Sequence, residues 1–124
     1  MILLDTNDLI LGLVSDSREG LELVQWARTG QSLVTSVVCW YEFLSGPVSP
    51  VQIKTMRAFL HRSLPFDEPE AVAAAQLFNS TGRKRARRVD SMIAANALMA
   101  QASLATNNRV DFEAFVPHGL KLDG

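Results

Sequence analysis

The sequence has few of the features that mark secreted, membrane or zinc-binding proteins. It contains a single cysteine, Cys39, which cannot form a disulfide bond within the chain. Small secreted domains usually depend on several disulfides, so we expect a reducing compartment. No stretch approaches the roughly 18 uninterrupted apolar residues of a membrane span, and Asp5 interrupts the segment where a signal peptide needs its apolar core. We therefore expect a soluble, cytoplasmic protein with no membrane partner.

The sequence also lacks an excess of charge of either sign. The formal net charge of the 124 residues is −1, so the overall balance does not indicate a polyanionic partner. The distribution is uneven, because five of the twelve Lys and Arg residues lie within residues 83–88: Arg83, Lys84, Arg85, Arg87 and Arg88. We call these five residues the basic cluster. Such a cluster is a local electrostatic footprint, although a solvated turn or an acidic protein partner would also account for it.

Short apolar segments typical of strands alternate along the chain with longer segments typical of helices. Met1 to Leu4 are all apolar, which is typical of a strand covered on both faces in a parallel sheet. Further strands are predicted at residues 32–35, 63–66, 103–106 and 120–122, and Pro65 makes the second of these an edge strand. Helices are predicted at residues 9–14, 18–29, 37–45, 49–62, 69–80 and 89–101, with a helical turn at 111–115. This order predicts one α/β domain with three layers, α/β/α.

Four acidic residues fall where this fold would bring them together. Asp5 directly follows the first strand, the usual place for chemistry in α/β sheets, although an N-cap is an alternative role. Glu42 lies in the helix after the second strand, Asp90 in the first turn of another helix, and Asp111 just beyond the fourth strand. If the strands are parallel, all four approach one edge of the sheet.

Converging carboxylates repel one another unless cations lie between them. Carboxylate oxygens are hard ligands that suit Mg²⁺ or Mn²⁺. His61 and His118 are isolated in sequence from the acids, so we interpret both as surface or packing residues, and the absence of a Cys/His cluster argues against zinc. The pattern therefore predicts a divalent metal site with oxygen ligands.

Four motifs, in order, resemble those of a known family. They are Asp5-Thr6-Asn7 after an aliphatic strand, Thr35-Ser36 with Glu42 and Gly46, Asp90-Ser91-Met92-Ile93-Ala94-Ala95, and Leu104-Ala105-Thr106-Asn107-Asn108 running to Asp111-Phe112. Together they resemble the PIN-domain ribonucleases. In size and in its last motif the chain is most similar to the VapC-type toxins of bacterial toxin–antitoxin pairs. Each motif is weak alone, but the four together span essentially the whole chain.

The resemblance implies a PIN-like sheet of four or five mainly parallel strands with the first strand in the centre. It also implies a Mg²⁺- or Mn²⁺-dependent endoribonuclease, a homodimer, and a cognate antitoxin that blocks the active site. The catalytic and metal-binding residues carried over by motif are Asp5, Glu42, Asp90 and Asp111. We hypothesise that the first three hold one metal ion and that Asp111 helps to hold it or a second, with a metal-activated water as nucleophile.

Other residues are assigned supporting roles. Thr6, Asn7 and Thr106 are expected to hydrogen-bond beside the acids. The basic cluster is interpreted as a contact to the RNA backbone, with Arg87 and Arg88 in a loop, since positive charge opposes the dipole at a helix N-terminus. Core packing is the preferred interpretation for the aromatic residues that could also stack bases: Trp26, Trp40 and Tyr41.

Two positions depart from the family pattern. Asp8 stands where an apolar residue is common, and we expect it to be solvated because exposed Asp is the norm. Asp111 is the least constant of the four acids in the family. The alternative function is a non-catalytic PIN-like module that binds RNA or a partner. A phosphatase of the Asp-x-Asp-x-Thr type is disfavoured because Asn7 replaces the second Asp, and a structure-specific DNA nuclease would need an added DNA-binding element.

Overall fold

A five-stranded parallel sheet forms the centre of the molecule in a computed structural model that describes all 124 residues. Its strands are β1 (Ile2–Leu4), β2 (Leu33–Ser36), β3 (Arg62–Leu64), β4 (Ser103–Ala105) and β5 (Lys121–Leu122), in the order β3-β2-β1-β4-β5. Every neighbouring pair is parallel. The predicted α/β/α architecture with the first strand central is confirmed, and the strand next to Pro65 is an edge strand, as predicted.

Seven helices flank the sheet. They are α1 (Thr6–Leu11), α2 (Arg18–Arg28), α3 (Val37–Leu44), α4 (Pro50–Phe59), α5 (Glu68–Ser80), α6 (Arg88–Ala100) and α7 (Arg109–Phe112), with short 3-10 segments at Arg85–Arg87 and Glu113–His118. All predicted helices are present, but α1 and α7 begin earlier than predicted. None of the helices combines the length and apolar character needed to cross a bilayer.

Serine side chains fix where α2 and α3 begin. Ser17 accepts a hydrogen bond from the backbone of Gly20 and thereby caps α2. Ser36, the N-cap residue of α3, accepts a hydrogen bond from the backbone of Val38 at 3.0 Å. Each cap satisfies a backbone N–H that has no partner inside the helix, so the entry point of α3, which carries Glu42, is set locally.

Small side chains let α6 pack closely on the sheet. Ala94, Ala95 and Ala97 are each fully buried, as are Leu3 and Leu104 on the strands. Small residues allow close approach without leaving voids, and protein interiors are packed at about crystal density. The first turn of α6 is therefore held rigidly beside the end of β1.

The strand register brings three polar segments to the same edge. Leu4 pairs with Thr35 on one side and with Ala105 on the other, and the backbone N–H of Asp5 donates to the carbonyl of Ala105 at 3.0 Å. Asp5, Ser36 and Thr106 consequently leave the sheet side by side. This is the edge at which open α/β sheets bind ligands.

Candidate active site

Asp5 is a buried carboxylate held from two sides. Its side chain is 5% exposed and caps α1, with Oδ1 accepting a hydrogen bond from the backbone N–H of Thr6 at 2.8 Å. Oδ2 accepts a hydrogen bond from the hydroxyl of Thr106 at 2.7 Å. The helix cap and the functional role proposed from sequence are therefore compatible, because one carboxylate can fill both.

Thr6 links Asp5 to Glu42. The hydroxyl of Thr6 donates to Oε1 of Glu42 at 2.7 Å, while the backbone N–H of the same residue donates to Asp5. Glu42 lies on α3 and is exposed, although its neighbours Trp40 and Phe43 are buried. Its carboxylate thus keeps most of its hydration while its position is fixed by Thr6.

Three acids line one cavity at the carboxyl edge of the sheet. This acidic cavity has a volume of about 240 Å³ and is lined by Asp5, Thr6, Asn7, Glu42, Val89, Asp90, Ile93 and Asn108. Burial and the negative charges of Asp111, Asp5 and Glu42 raise the pKa of Asp90 to about 6, against a smaller opposing effect of Arg87. The carboxylates are therefore close enough to act on one another electrostatically. As the side chains stand, no three of the His, Cys, Asp and Glu residues are grouped so as to hold a metal ion.

Asp111 lies outside the lining of this cavity. It is exposed in the first turn of α7, and the neighbouring Asn108 lines the cavity instead. The charge of Asp111 nevertheless has the largest effect of any neighbouring charge on the pKa of Asp90. Asn108 was part of the last sequence motif but was not assigned a role, because its distance from the acids depends on how the loop after β4 folds.

The expectation that Asp8 is solvated is wrong. Asp8 lies in the first turn of α1 with only 7% of its surface exposed, and its Oδ1 is buried without a hydrogen-bond partner. Burial, followed by the charges of Asp5, Glu19 and Glu22, raises the pKa of Asp8 to about 7. An unpartnered carboxylate oxygen is costly to bury, so this position requires a specific explanation.

The basic cluster runs into the first turn of α6, which carries Asp90. None of its five residues forms a salt bridge. Arg87 donates to the carbonyl of Thr81, and Arg83 and Arg88 lie over the ring of Phe78 at 5.9 and 5.6 Å. The expectation that Arg87 and Arg88 lie in a loop is wrong, because Arg87 ends a 3-10 segment and Arg88 begins α6. Packing against Phe78 offsets the unfavourable position of Arg88 in the helix dipole.

The aromatic residues differ in environment. Trp40 is buried against Phe43 with ring centroids 5.1 Å apart, and Trp26 is partly buried at the edge of the core. Tyr41 is 70% exposed, so the core interpretation is wrong for this residue. His61 and His118 are exposed. Neither histidine lines the acidic cavity, in agreement with an oxygen-only site.

A buried hydrogen-bond chain connects the elements that carry Glu42 and Asp90. The hydroxyl of Ser36 donates to Oδ1 of Asn96 on α6 at 2.6 Å, and Nδ2 of Asn96 donates to the carbonyl of Pro65 at 2.9 Å. Ser36 caps the start of α3 and Asn96 lies in the third turn of α6, so this chain ties the start of the helix with Glu42 to the helix with Asp90.

A parallel sheet in this order, with an acidic cavity at its carboxyl edge, defines the class of α/β/α domains to which PIN domains belong. The PIN domain model matches residues 2–115, and the chain belongs to the PIN-domain family. PIN domains of the VapC type are generally nucleases, and PIN nucleases generally use divalent metal ions. The sequence has no significant match among curated proteins.

Solved structures share the fold over nearly the whole chain. FitAB bound to an IR36 DNA fragment superposes with a TM-score of 0.73 and 24% identity, covering 99% of this chain and 94% of that chain. VapBC2 from Rickettsia felis, bound to a promoter DNA fragment, superposes with a TM-score of 0.71 and 19% identity, covering 99% of this chain and 98% of that chain. A toxin–antitoxin complex from Klebsiella pneumoniae superposes with a TM-score of 0.67 and 24% identity, covering 91% of each chain. At these identities the likeness shows a common fold.

Proposed function

We propose that this chain is a Mg²⁺- or Mn²⁺-dependent endoribonuclease and the toxin of a type II toxin–antitoxin pair. The observation that carries the proposal is that Asp5, Glu42 and Asp90, which come from three separate segments of the chain, line one cavity at the functional edge of the sheet. Membership of the PIN-domain family supports nuclease chemistry. The similar fold in a toxin–antitoxin complex from Klebsiella pneumoniae supports the toxin assignment.

The residues of the acidic cavity fit a divalent cation. Its ionisable groups are all carboxylates, joined by amide and hydroxyl oxygens, which are the ligands that Mg²⁺ and Mn²⁺ prefer. Burial and then the negative charges of Asp111, Asp5 and Glu42 raise the pKa of Asp90, and the opposing effect of Arg87 is smaller, so a bound cation would stabilise the ionised carboxylates. Asp5, Glu42 and Asp90 would hold the ion, and Asp111 at the rim would join them or hold a second. When bound, the ion would supply an activated water and stabilise charge on the leaving oxygen.

The protein's own side chains position the reactants. Thr106 and the backbone of Thr6 fix both oxygens of Asp5, so this carboxylate cannot rotate away from the cavity. The amides of Asn7 and Asn108, also in the lining, can hydrogen-bond phosphate oxygens. No serine, cysteine or lysine lines the cavity, so hydrolysis by water needs no covalent step on the protein.

The basic cluster supplies the electrostatic contact to the RNA backbone in this proposal. Its charges are not paired with acids of the same chain, and they lead into the helix that carries Asp90. Phosphate contacts of this kind position a nucleic acid without reading its sequence. The cluster therefore orients the substrate, and any sequence preference must come from another part of the surface.

The proposal includes two protein partners. Large apolar side chains are exposed on α2, α3 and α4: Leu21, Val24, Tyr41, Leu44 and Val51. Exposed apolar surface on a small domain is typical of sites that another chain covers. We propose that a homodimer partner and a cognate antitoxin cover apolar side chains of these helices, with the cytoplasm as the working compartment.

The test is cleavage of a labelled single-stranded RNA by purified protein with Mg²⁺ or Mn²⁺, and with EDTA. The wild type should cleave only with metal, and Mn²⁺ should raise its melting temperature. Asp90→Asn should lose both effects, whereas Asp16→Asn, at an exposed position in the turn before α2, should retain them. Cleavage in EDTA or by Asp90→Asn would contradict the proposal. RNA binding without cleavage in any metal would identify a non-catalytic PIN-like module.

A further inference from the structure

A second cleft adjoins the acidic cavity. It has a volume of about 290 Å³, and Asp8, Arg18, Glu22, Thr106, Asn107 and Arg109 contribute to its wall. Asn107 lines this cleft while the next residue, Asn108, lines the acidic cavity. Thr106, which also lines the cleft, donates its hydroxyl to Asp5. A ligand in this cleft, which we call the Asp8 cleft, would therefore lie next to the proposed site of phosphodiester hydrolysis.

Asp8 is the residue of this cleft that lacks a partner. Its surface is 7% exposed, and no donor reaches its buried Oδ1. Polar groups buried without a hydrogen bond are rare in native proteins, and each one indicates a missing ligand, water or function. Asp8 lines the cleft, and the terminal torsion of an aspartate side chain is broad, so rotation about it can turn Oδ1 toward a ligand.

The remaining charges of the cleft are of both signs. The guanidinium of Arg18 lies 3.6 Å from Glu22 and also donates to Asn107, and its side chain is 71% exposed. Arg109 donates to the carbonyl of Asp123 at 2.7 Å. The wall of the cleft thus contains three acidic side chains, Asp8, Glu22 and Asp123, and the guanidinium groups of Arg18 and Arg109. A complementary ligand offers N–H donors to Asp8 and acceptor oxygens to the arginines.

We propose that the Asp8 cleft binds a guanine base of the RNA substrate, in a nucleotide next to the scissile phosphate. The inference rests on the proposed ribonuclease function and adds a base preference to it. The Watson–Crick edge of guanine carries two adjacent N–H donors, N1–H and N2–H, that an ionised carboxylate accepts together. Arg18 and Arg109 face the phosphates on either side of that nucleotide. Single-stranded RNA is recognised in this way, through the edges of unstacked bases.

The chemistry of Asp8 selects among the bases. Uracil has one N–H donor on this edge, and adenine and cytosine each place an acceptor beside their amino group, which a carboxylate repels. A guanidinium from a partner protein also has paired donors, but it offers no acceptor to Arg18 and Arg109 in the wall. A nucleotide can satisfy both the carboxylate and the arginines, so guanine is the proposed occupant and an arginine side chain is its competitor in the test.

Binding of mononucleotides tests the proposal without requiring cleavage. In titrations followed by NMR at pH 8, above the pKa of about 7 to which burial raises Asp8, guanosine monophosphate should bind the wild type about tenfold or more tightly than the adenosine, cytidine and uridine monophosphates, as expected for paired hydrogen bonds to a base. Asp8→Asn should lose this discrimination, because an amide cannot accept two donors. Asp16→Asn, an exposed acid near the same helix, is the matched control and should retain it. Asp8→Val, which has the apolar side chain that is common at this position, should lose the discrimination as well, because it also lacks the carboxylate.

Cleavage of a random RNA pool, with sequencing of the product ends, supplies the second measurement. Wild-type products should show guanine enriched at one fixed position beside the cut, and Asp8→Asn should lower that enrichment by about tenfold or more. No preference for guanosine monophosphate, or enrichment unchanged by Asp8→Asn, would overturn the inference and leave the nuclease intact. Tighter binding of N-acetyl-arginine amide than of guanosine monophosphate would overturn it in favour of a partner's arginine. Failure of metal-dependent cleavage, with guanine binding preserved, would instead overturn the proposed function.

Discussion

The hydroxyl of Thr106 donates to Oδ2 of Asp5 at 2.7 Å, joining residues 101 positions apart in sequence. The same hydroxyl accepts the backbone N–H of Asn108 at 3.0 Å. One side chain therefore holds the buried carboxylate at the end of β1 and shapes the loop after β4. Thr106 also lines the Asp8 cleft, so it stands between the two proposed binding regions.

We predict that Thr106→Val lowers both stability and RNA cleavage. Valine has nearly the same shape but leaves Oδ2 of the buried Asp5 without its donor, which costs about 1–3 kcal/mol in the free energy of unfolding. Urea denaturation and the kcat/KM for RNA cleavage measure the two effects. Thr106→Ser keeps the hydroxyl and is the control. Equal stability of the valine and serine variants would show that this hydrogen bond contributes little.

The buried Asp8 should make stability depend on pH. Its pKa is about 7 in the folded protein, against an ordinary value of 3.8. The folded state therefore retains a proton that the unfolded chain has lost, and Asp8 lowers stability as pH rises from about 4 to about 7. Each pKa unit corresponds to about 1.4 kcal/mol, so the loss reaches about 4 kcal/mol at most above pH 7.

Asp8→Asn should remove this dependence. Because the amide does not ionise, the variant should be more stable than the wild type at pH 8 and of similar stability at pH 4. Guanidinium denaturation across this pH range measures the difference, in which the contributions of the other carboxyl groups cancel. The same series with Asp16→Asn provides the baseline. A constant difference between wild type and Asp8→Asn would show that Asp8 titrates normally.

The chain of buried hydrogen bonds through Asn96 should be important for stability. Asn96→Ala removes the acceptor of the Ser36 hydroxyl and the donor to the carbonyl of Pro65, and it leaves a small cavity. We expect a loss of about 3 kcal/mol in the free energy of unfolding, from unsatisfied buried groups. Gln76→Ala, at an exposed position on α5, should change stability by less than about 0.5 kcal/mol. Similar midpoints in urea for the two variants would contradict the prediction.

The two residues of the basic cluster that contact nothing else should contribute most to RNA binding. Lys84 and Arg85 have no salt bridge or side-chain hydrogen bond, whereas Arg87 bonds the carbonyl of Thr81. Replacing both with Gln should reduce the slope of log K against log salt by about 1.4, since each phosphate contact on a single strand contributes about 0.7. Binding is measured by fluorescence anisotropy with Asp90→Asn as background. Replacing Arg28 and Lys54 instead should leave the slope unchanged.

Local signals account for what could be predicted of the fold. Strand and helix positions followed from the chain alone because their signals lie in neighbouring residues. These signals are the apolar residues of β1, the serines before α2 and α3, and the small residues of α6. The first strand's central place came from the resemblance to PIN domains. The meeting of Asp5, Glu42 and Asp90 also followed, because parallel strands must end at one edge and the helices after them must start there.

The environment of single side chains was not determined in the same way. The residues next to Asp8, Tyr41 and Asp111 in the sequence do not indicate whether these side chains are buried, are exposed or lie away from the cavity. Asp8 is buried because α1 begins at Thr6, directly after the strand, which turns its third residue toward α2 and the end of β4. Tyr41 is exposed because α3 presents its neighbours Trp40 and Phe43 to the core instead.

The amino-acid sequence by itself determined the order of strands and helices, the family and the acids that meet at one edge, since periodicity, capping and chain direction are local properties. Only the tertiary structure decided which carboxylates share a cavity and which one is buried without a partner. Those outcomes depend on contacts between residues far apart in the chain, such as Asp5 with Thr106 and Ser36 with Asn96, whose geometry no local pattern specifies.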